Sequence, residues 1–404
     1  MASRHNNYHN FIEDELARLE KNNLYRRLKL VSVEKRITTA TVDGKKNVIN
    51  LCSNDYLGLS HNQNILKRAI ISLKQISQCS SRLIAGNDPN LINLEEKLAE
   101  HCETESTLVY PTGYMANLGV ITTLADKYTT ILSDELNHAS IVDGCKLSGA
   151  SIKVFRHNDM EQLEHLLEAV SCGRKKIVVT EGLFSMDGDI SNLQQIRRIA
   201  REQNAITVVD DAHGDFIFGE ASASSSSRFS GIPSYLGVNN DIDVHTSSLS
   251  KGLGCFGGYV ASTRQIRELL VNKSRQFIYT SALPEHLCVS ALTAIPIATK
   301  GNLQKKLFDN IDFMFRKLSQ LGLRLAGKSS SSQIIPVIIG DEKTAIAFSK
   351  RLLDNGIFVQ AVRYPTVKKG SARLRISLTA LHGRDQLSSA IDSFGTVGKK
   401  LLII

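Results

Sequence analysis

The sequence predicts an α/β protein with a mostly parallel β-sheet in a large domain and a smaller α+β domain at the C-terminal end. Two observations predict this fold. Between Thr107 and Ala261, short apolar runs alternate with segments of helical periodicity, which is typical of a domain built on a parallel sheet. Beyond Pro284, a long helical stretch precedes strands and helices in a different order, which indicates a second, smaller domain.

The individual elements follow from local residue patterns. Apolar residues at near-helical spacing predict an amphipathic helix from the start of the chain to about Arg36. Short β-type runs predict strands at Thr107–Tyr110, Thr130–Ser133, Ser151–Phe155, Lys176–Thr180, Ala205–Asp210, Ile242–Thr246 and Gly258–Ala261. The helices predicted between these strands include Met160–Val170 and Leu193–Gln203.

The C-terminal region begins with a long helical stretch from Pro284 to Leu325, and a serine-rich linker follows at Ser329–Ser332. The elements predicted after it are strand Gln333–Ile339, helix Glu342–Asp354, strand Phe358–Val362, strand Arg373–Leu378 and helix Arg384–Phe394. Another serine run, Ser224–Ser227, is predicted to be a surface loop. A chain of 404 residues can form two or three domains. We expect an N-terminal helical segment and arm over 1–50, a large α/β domain over 51–285 and a small α+β domain over 286–404.

Composition and charge exclude several classes of protein. The net charge of +9 favours an anionic partner, but no nucleic-acid-binding signature is present, so a phosphate-bearing cofactor and an acyl carrier fit better than nucleic acid. No apolar run approaches the roughly 20 residues that cross a bilayer, and the polar start is unlike a signal peptide, so we expect a cytoplasmic protein without a membrane partner. The 7 cysteines are scattered without a C-x-x-C pair, which favours reduced, mostly buried thiols over a metal site.

One chemical signal is the segment Ala205–Gly214, an apolar run that ends in Asp210, Asp211 and His213. Because α/β sheets bind ligands at the carboxyl ends of their strands, these polar groups are candidates for a site. Alternatively, either acid could cap the following turn, and the histidine could be a core residue with a satisfied hydrogen bond.

Two further segments carry matching chemistry. Lys251 follows the next predicted strand and precedes glycines, and partial desolvation at a strand end favours the neutral amine that forms imines. A surface lysine beside a flexible turn is the alternative interpretation. In the segment Thr107–Asn117, Thr112 is a candidate N-cap, and the amides of Gly113 and Tyr114 could bind a phosphate at the start of a helix.

Taken together, the three segments offer a phosphate cradle, an acid for a ring nitrogen and an amine for an aldehyde. From about residue 20 to about residue 395 the chain resembles the fold-type I pyridoxal-phosphate enzymes, specifically the α-oxoamine synthases. Further segments that carry the resemblance are Cys52–Leu59, Ser81–Gly86, Asp134–Ser140, Glu181–Asp189, Ser332–Pro336, Arg363–Val367 and Ala372–Arg375.

The resemblance implies a role for each site residue. Asp210 would pair with the pyridine nitrogen, and Lys251 would hold pyridoxal phosphate as a Schiff base and later act as the base at the substrate Cα. His138 would stack on the ring and His213 would bond its phenolic oxygen. The further cofactor contacts that the resemblance implies are Thr112, Gly113, Tyr114, Ser185, Ser248, Thr280 and Ser281.

The resemblance also implies substrate contacts. Arg375 would grip the amino-acid carboxylate, with Asn54 in support, while Arg363 and Arg26 would shape the acyl side of the site. Each arginine could instead form a surface ion pair. Four residues depart from the usual family pattern and are expected to line the region of the acyl chain or its carrier; they are Leu91, Phe216, Tyr364 and Lys368.

The implied reaction is a decarboxylative condensation of an amino acid with an acyl thioester, carried by coenzyme A or by acyl carrier protein. The segments around Asp210 and Gly182 are most similar to the biotin-pathway member that joins L-alanine to a pimeloyl thioester. Glycine C-acetyltransferase is the alternative, and a non-catalytic partner subunit is disfavoured because Lys251, Asp210 and His213 are all present. The segment Arg275–Pro284 resembles the family segment that reaches the neighbouring chain, which implies a homodimer with a shared active site. Capping of the helix after Pro284 by Thr280 and Ser281 is the other interpretation.

Overall fold

The computed structural model describes residues 5–33, 36–219, 228–327 and 332–404. The predicted loop at Ser224–Ser227 and all but the last residue of the predicted linker Ser329–Ser332 lie outside the described residues. The chain divides into two compact units. We call Asn54–Phe308 with Thr379–Leu381 the large unit, and Met1–Ser53, Asp309–Leu378 and His382–Ile404 the small unit.

The described elements are as follows in chain order. The α-helices are α1 (His5–Lys21), α2 (Gln63–Ser72), α3 (Pro89–Cys102), α4 (Gly113–Leu124), α5 (Ala139–Leu147), α6 (Met160–Glu168), α7 (Leu193–Glu202), α8 (Ile232–Tyr235), α9 (Arg264–Lys273), α10 (Arg275–Ile278), α11 (Glu285–Ala298), α12 (Asn302–Gln320), α13 (Glu342–Asp354) and α14 (Arg384–Lys400). The strands are β1 (Val31–Ser32), β2 (Thr39–Val42), β3 (Lys45–Asn50), β4 (Ser106–Tyr110), β5 (Thr129–Asp134), β6 (Ser151–Phe155), β7 (Lys175–Glu181), β8 (Ile206–Asp210), β9 (Val244–Ser248), β10 (Gly258–Ser262), β11 (Ile334–Gly340), β12 (Ile357–Phe358), β13 (Gln360–Val362) and β14 (Ala372–Ser377). A π-helical turn at Arg82–Gly86 and a 3₁₀ turn at Asn239–Asp241 complete the set.

The large unit is built on a 7-stranded sheet with the order β4-β10-β9-β8-β7-β5-β6. β10 runs antiparallel to both of its neighbours, β4 and β9, and the other pairings are parallel. The predicted mostly parallel sheet is thereby confirmed. Each strand predicted from Thr107 to Ala261 is present, with ends that differ by at most two residues.

The core of the large unit explains why these segments form strands. β5, β7 and β8 carry short apolar runs and are mostly buried, because helices cover both faces of a parallel sheet. The buried cluster that fills one side of the sheet includes Leu108, Tyr110, Val120, Ile131, Ile141, Ile177, Val208, Val244, Val260 and Phe277. This packing fixes where each strand ends. It therefore also fixes the positions of the polar residues that follow the strands.

The small unit contains two small sheets with the orders β1-β2-β3-β12 and β11-β14-β13. β11 and β13 pair antiparallel on either side of β14. α13 and α14 pack together through Phe348 and Phe394, whose ring centroids lie 5.6 Å apart. The predicted α+β character of this region is confirmed.

Three predicted elements differ from the structure. The first helix ends at Lys21 rather than near Arg36, because Asn23 adopts a left-handed backbone (φ 57) and the chain then extends into β1. The long helical stretch is divided at Gly301 (φ +87) into α11 and α12. The predicted strand Phe358–Val362 is two short strands in different sheets.

Two other observations bear on the sequence predictions. All 7 cysteines are free thiols, but only Cys102, Cys145 and Cys288 are buried, whereas Cys79 and Cys172 are exposed. Within the described ranges no helix has the length and apolar character that a membrane span requires.

Candidate active site

The carboxyl ends of neighbouring strands place the predicted site residues of the large unit together. Asp210 is the last residue of β8, and Lys251 lies in the turn that follows β9, the next strand of the sheet. β4 ends shortly before Thr112, the N-cap of α4. Parallel strands bring their carboxyl ends to one edge of the sheet, so residues far apart in sequence meet there.

Lys251 and His213 are joined by a short hydrogen-bonded chain. The Lys251 Nζ lies 2.9 Å from His213 Nε2, and His213 Nδ1 lies 2.6 Å from the Tyr56 hydroxyl. The Tyr56 hydroxyl also donates to Asn54 Oδ1 at 3.1 Å. In a consistent assignment, His213 carries its proton on Nδ1 and accepts from Lys251 at Nε2. The contact orients the amine of Lys251 and links it to two residues outside the Ala205–Gly214 segment.

Asp210 is buried and held by two donors. Its Oδ2 accepts from Asn117 Nδ2 at 2.6 Å, and its Oδ1 accepts from the Ala212 amide at 3.0 Å. Asn117 is itself fixed, because its Oδ1 accepts from Thr246 Oγ1 at 2.6 Å and its Nδ2 reaches Ser140 Oγ at 2.9 Å. Hydrogen bonds of this kind favour the charged carboxylate, so the arrangement suits an anion that pairs with a protonated ring nitrogen.

The start of α4 has the features of an anion-binding site. Thr112 Oγ1 accepts from the Met115 amide at 3.2 Å, while the amides of Gly113 and Tyr114 have no acceptor among the described residues. A Cβ on Gly113 would stand 3.2 Å from the Cβ of Ser248, so only glycine lets these two segments approach without a shift. Unpaired amides at a helix N-terminus bind phosphate groups well.

His138 and Ser185 lie at the ends of two further strands of the same sheet. His138 is the N-cap of α5, where its Nδ1 lies 2.8 Å from Ser140 Oγ. Partial desolvation lowers the pKa of His138, the Asp210 charge opposes this shift and the Lys251 charge adds to it, so all three groups are within electrostatic reach. Ser185 is buried after β7, and its amide donates to Glu181 Oε2 at 3.2 Å.

Thr280 and Ser281 lie at the surface of the large unit beside the same strand end. They line a small pocket together with Tyr110 and Pro111, the residues that precede Thr112. The N-cap of α11 is Pro284, without a side-chain capping bond, so the interpretation in which Thr280 and Ser281 cap this helix is wrong.

The three candidate substrate arginines belong to the small unit. Arg26 donates to Thr366 Oγ1 at 3.1 Å, and Arg363 donates to the carbonyl oxygen of Tyr25 at 2.6 Å, so the segment after α1 contacts the segment after β13. Burial and the neighbouring Arg26 lower the pKa of Arg363. Arg375 lies on β14 and donates to Ser377 Oγ at 2.6 Å. Neither Arg26 nor Arg363 forms an ion pair with a carboxylate among the described residues, which removes the ion-pair alternative for these two arginines.

The residues that depart from the family pattern separate into two groups. Leu91 and Phe216 are fully buried in the large unit, and Phe216 stacks on His101 with ring centroids 4.1 Å apart. The expectation that these two line an acyl region is therefore wrong; they fill the core. Tyr364 and Lys368 are exposed in the small unit.

Sequence reasoning missed three residues of the site. They are Tyr56, Asn117 and Glu181, and each lies inside a segment that already carried the family resemblance. These segments were therefore recognised, but Tyr56 meets His213 and Asn117 meets Asp210 across large sequence separations, and Glu181 neighbours Asp210 only through strand pairing.

Comparisons with known proteins agree with this geometry. The family model described as aminotransferase class I and II matches residues 46–394. An 8-amino-7-oxononanoate synthase of Thermoanaerobacter pseudethanolicus is 41% identical over 398 residues, which is 98% of each chain. Among solved structures, the Sphingomonas wittichii serine palmitoyltransferase superimposes with a TM-score of 0.91 and 31% identity over 100% of both chains. A serine palmitoyltransferase variant from S. paucimobilis with PLP and myriocin bound gives a TM-score of 0.91 and 29% identity over 98% of both chains.

Proposed function

We propose, on the premise that the chain belongs to the aminotransferase class I and II family and within it to the α-oxoamine synthases, that it condenses L-alanine with a pimeloyl thioester. The products are 8-amino-7-oxononanoate, carbon dioxide and the free thiol, as in biotin biosynthesis. The observation that carries the proposal is the 41% identity to an 8-amino-7-oxononanoate synthase over 98% of both chains. The enzyme is an acyltransferase that uses pyridoxal phosphate.

The residues at the sheet edge fit this cofactor. The unpaired amides of Gly113 and Tyr114, with the hydroxyls of Thr112 and Ser248, would hold the phosphate. Asp210 would hold the ring nitrogen in its protonated form, and Lys251 would bind the aldehyde carbon. When bound, the cofactor supplies an electron sink for the carbanion of the amino acid.

The residues of the chain then perform the remaining steps. Asn117 and the Ala212 amide donate to Asp210 and hold its carboxyl group in place. The Lys251 Nζ accepts the proton from the Cα of the amino acid, and its contact with His213 keeps the amine at a fixed position. His138 would cover the ring, His213 would bond its phenolic oxygen, and Ser185 would be a further cofactor contact.

Substrate selection is assigned to the residues that the family resemblance implies, which are Asn54, Arg26, Arg363 and Arg375. Arg375 would bind the amino-acid carboxylate in a bidentate manner, with Asn54 as a further donor. Arg26 and Arg363 offer positive charge to the acyl substrate, since neither is paired with a carboxylate among the described residues. Coenzyme A and acyl carrier protein share the phosphopantetheine thioester that these groups would meet.

A panel assay tests the proposed reaction. Purified enzyme is supplied with alanine, glycine or serine and with acetyl, pimeloyl or palmitoyl thioesters of coenzyme A and of acyl carrier protein. We expect carbon dioxide release to be fastest with alanine and a pimeloyl thioester. The Lys251→Ala variant is the matched control, because it should fold and retain pyridoxal phosphate non-covalently while turnover falls at least about a thousandfold. Preference for glycine and the acetyl thioester would overturn the proposal.

The enzyme is further proposed to act as a homodimer with a shared active site. The support is a set of large apolar side chains that the large unit exposes, since exposed apolar patches commonly mark subunit contacts. Those on α2 and the segment that follows it are Leu66, Ile70, Ile71, Leu73, Ile76, Leu83 and Ile84.

A further inference from the structure

Glu181 is a buried acid at the candidate site to which the proposed reaction gives no role. It is the last residue of β7 and the register partner of Asp210 on β8. The amide that follows it, on Gly182, donates to the Asp210 carbonyl oxygen at 2.7 Å. Adjacent residues of parallel strands direct their side chains to the same face, so the two carboxyl groups are neighbours.

The surroundings of Glu181 leave one of its oxygens without a partner. Glu181 is buried, with 2% of the residue exposed. Oε2 accepts from the Ser185 amide at 3.2 Å, but Oε1 has no partner of hydrogen-bond geometry among the described residues. The backbone is fixed, because the Glu181 amide donates to Asn137 Oδ1 at 3.1 Å. Buried polar atoms are nearly always paired, so an orphaned oxygen beside a site indicates a partner supplied by the ligand.

Charge decides which of the two neighbouring carboxyl groups carries a proton. Burial raises the pKa of Glu181 well above its usual range and the Asp210 charge adds to this, while Lys251 and the amides of Ser185 and His138 oppose it. Asp210 accepts hydrogen bonds at 2.6 and 3.0 Å, whereas the bond that Glu181 Oε2 accepts from the Ser185 amide is longer, at 3.2 Å. Burial and the neighbouring carboxyl group therefore favour the protonated form of Glu181.

We propose that Glu181 is a further cofactor-binding residue, whose protonated carboxyl group donates a hydrogen bond from Oε1 to a polar atom of bound pyridoxal phosphate. This inference rests on the proposed function, because it requires the cofactor at this site. A neutral donor adds affinity without placing a second negative charge beside Asp210, which must keep its own charge.

Two variants of matched length test this role. Glu181→Gln keeps a neutral donor, and Glu181→Met removes it at similar volume. The affinity of each apoenzyme for pyridoxal phosphate is measured by equilibrium dialysis, since the chain has no tryptophan to report binding by fluorescence. We expect the glutamine variant to bind within about fivefold of wild type, and the methionine variant to bind more than about fivefold more weakly than the glutamine variant.

Each other outcome overturns the proposal. A glutamine variant that loses more than about fivefold would mean that the charge of Glu181 matters, and a methionine variant equal to the glutamine variant would mean that no bond is donated. Melting temperatures of the apoenzymes check that both variants fold, and Glu181→Leu replaces the methionine variant if it does not. Failure of wild-type enzyme to bind pyridoxal phosphate would instead contradict the proposed function.

Discussion

Asp210 and Asp211 are adjacent in sequence but have opposite surroundings. Asp210 receives two hydrogen bonds at the site, as its proposed charge requires. Asp211 is fully buried, and a Cβ on Gly182, Gly214 or Gly231 would lie within 2.5, 2.2 or 1.8 Å of its carboxyl oxygens. Glycine at all three positions therefore makes room for this side chain.

The charge of Asp211 is also disfavoured. Its Oδ2 accepts from the Ile232 amide at 2.7 Å, but Oδ1 has no partner among the described residues. Burial raises the pKa of Asp211 well above its usual range, and the nearby charge of Asp215 adds to the shift. We infer that Asp211 is a neutral group that fills the space beneath the turn carrying His213.

Paired substitutions separate the roles of the two aspartates. Asp210→Asn should slow exchange of the substrate Cα proton at least about a hundredfold, because a neutral amide cannot hold the ring nitrogen protonated. In the Asp211→Asn variant the rate of Cα proton exchange should stay within about tenfold of the wild-type rate, because the amide has the size of the neutral acid. Exchange is followed by NMR in deuterated water. Near-normal exchange in Asp210→Asn would reject its assignment, and equal losses in both variants would reject the distinction.

The sequence was sufficient to identify site residues whose role can be predicted from the residue type and the neighbouring sequence. Lys251, Asp210 and His213 each follow a predicted strand, and the structure places them together. Tyr56 and Asn117 could not be assigned in the same way, because the first meets His213 from 157 residues away and the second meets Asp210 from 93 residues away. Such pairings depend on strand order and helix packing, which local sequence does not encode.

At the scale of elements, His157 joins three segments at the edge of the large sheet. Its Nδ1 lies 3.0 Å from Asp134 at the end of β5, and its Nε2 lies 2.7 Å from Asp189. The ring packs edge-on against Phe184 at 4.4 Å. Because Phe184 and Asp189 flank Ser185 in the segment after β7, His157 holds that segment against the sheet.

The charge of His157 should make this anchor dependent on pH. Burial alone would lower its pKa, but Asp134 and Asp189 overcome this and raise it from 6.5 to about 10. A raised pKa in the folded state adds stability that is fully present below pH 6.5 and is lost as the pH rises through about 10.

His157→Gln tests the anchor. We expect its melting temperature to be ~2–4 °C below that of wild type near neutral pH, which corresponds to about 1 kcal/mol, because a charged pair of hydrogen bonds is lost. The difference should shrink as the pH approaches about 10, where wild type also loses the charge. Melting is followed by circular dichroism across this range. A difference independent of pH would mean that packing on Phe184, and not charge, accounts for the effect.

Strands and helices were predicted correctly where one hydrophobic pattern extended over the whole element. The predictions were wrong where a short break interrupted the element. The apolar runs of β5, β7 and β8 are buried, so the local hydrophobic pattern was sufficient to predict these strands. The breaks at Asn23 and Gly301 arise from single residues with positive φ, and apolar periodicity on either side continues across them. The division between β12 and β13 depends on pairing with two separate sheets, which no local pattern specifies.

At the scale of the whole molecule, the question is whether one chain contains a complete site. Thr280 and Ser281 are the residues that the family resemblance assigns to the cofactor phosphate of the neighbouring chain. Ser281 is exposed and Thr280 is partly exposed, so both could contact a second subunit. They also border the strand end that leads to Thr112 of their own chain, so a contact within one chain is the competing arrangement.

Subunit mixing distinguishes the two arrangements. Lys251→Ala removes the base, and Ser281→Arg is expected to block the phosphate position that it borders, so each variant alone should be inactive. In a mixed dimer with shared sites, one site carries both substitutions and the other carries neither, so isolated mixed dimers should have roughly half of the wild-type activity. If Lys251 and Ser281 served the same chain, every site would carry one lesion and activity would stay absent. Co-expression with two different affinity tags isolates the mixed dimers, and circular dichroism verifies that each variant is folded. Isolated mixed dimers without activity would therefore reject the shared site.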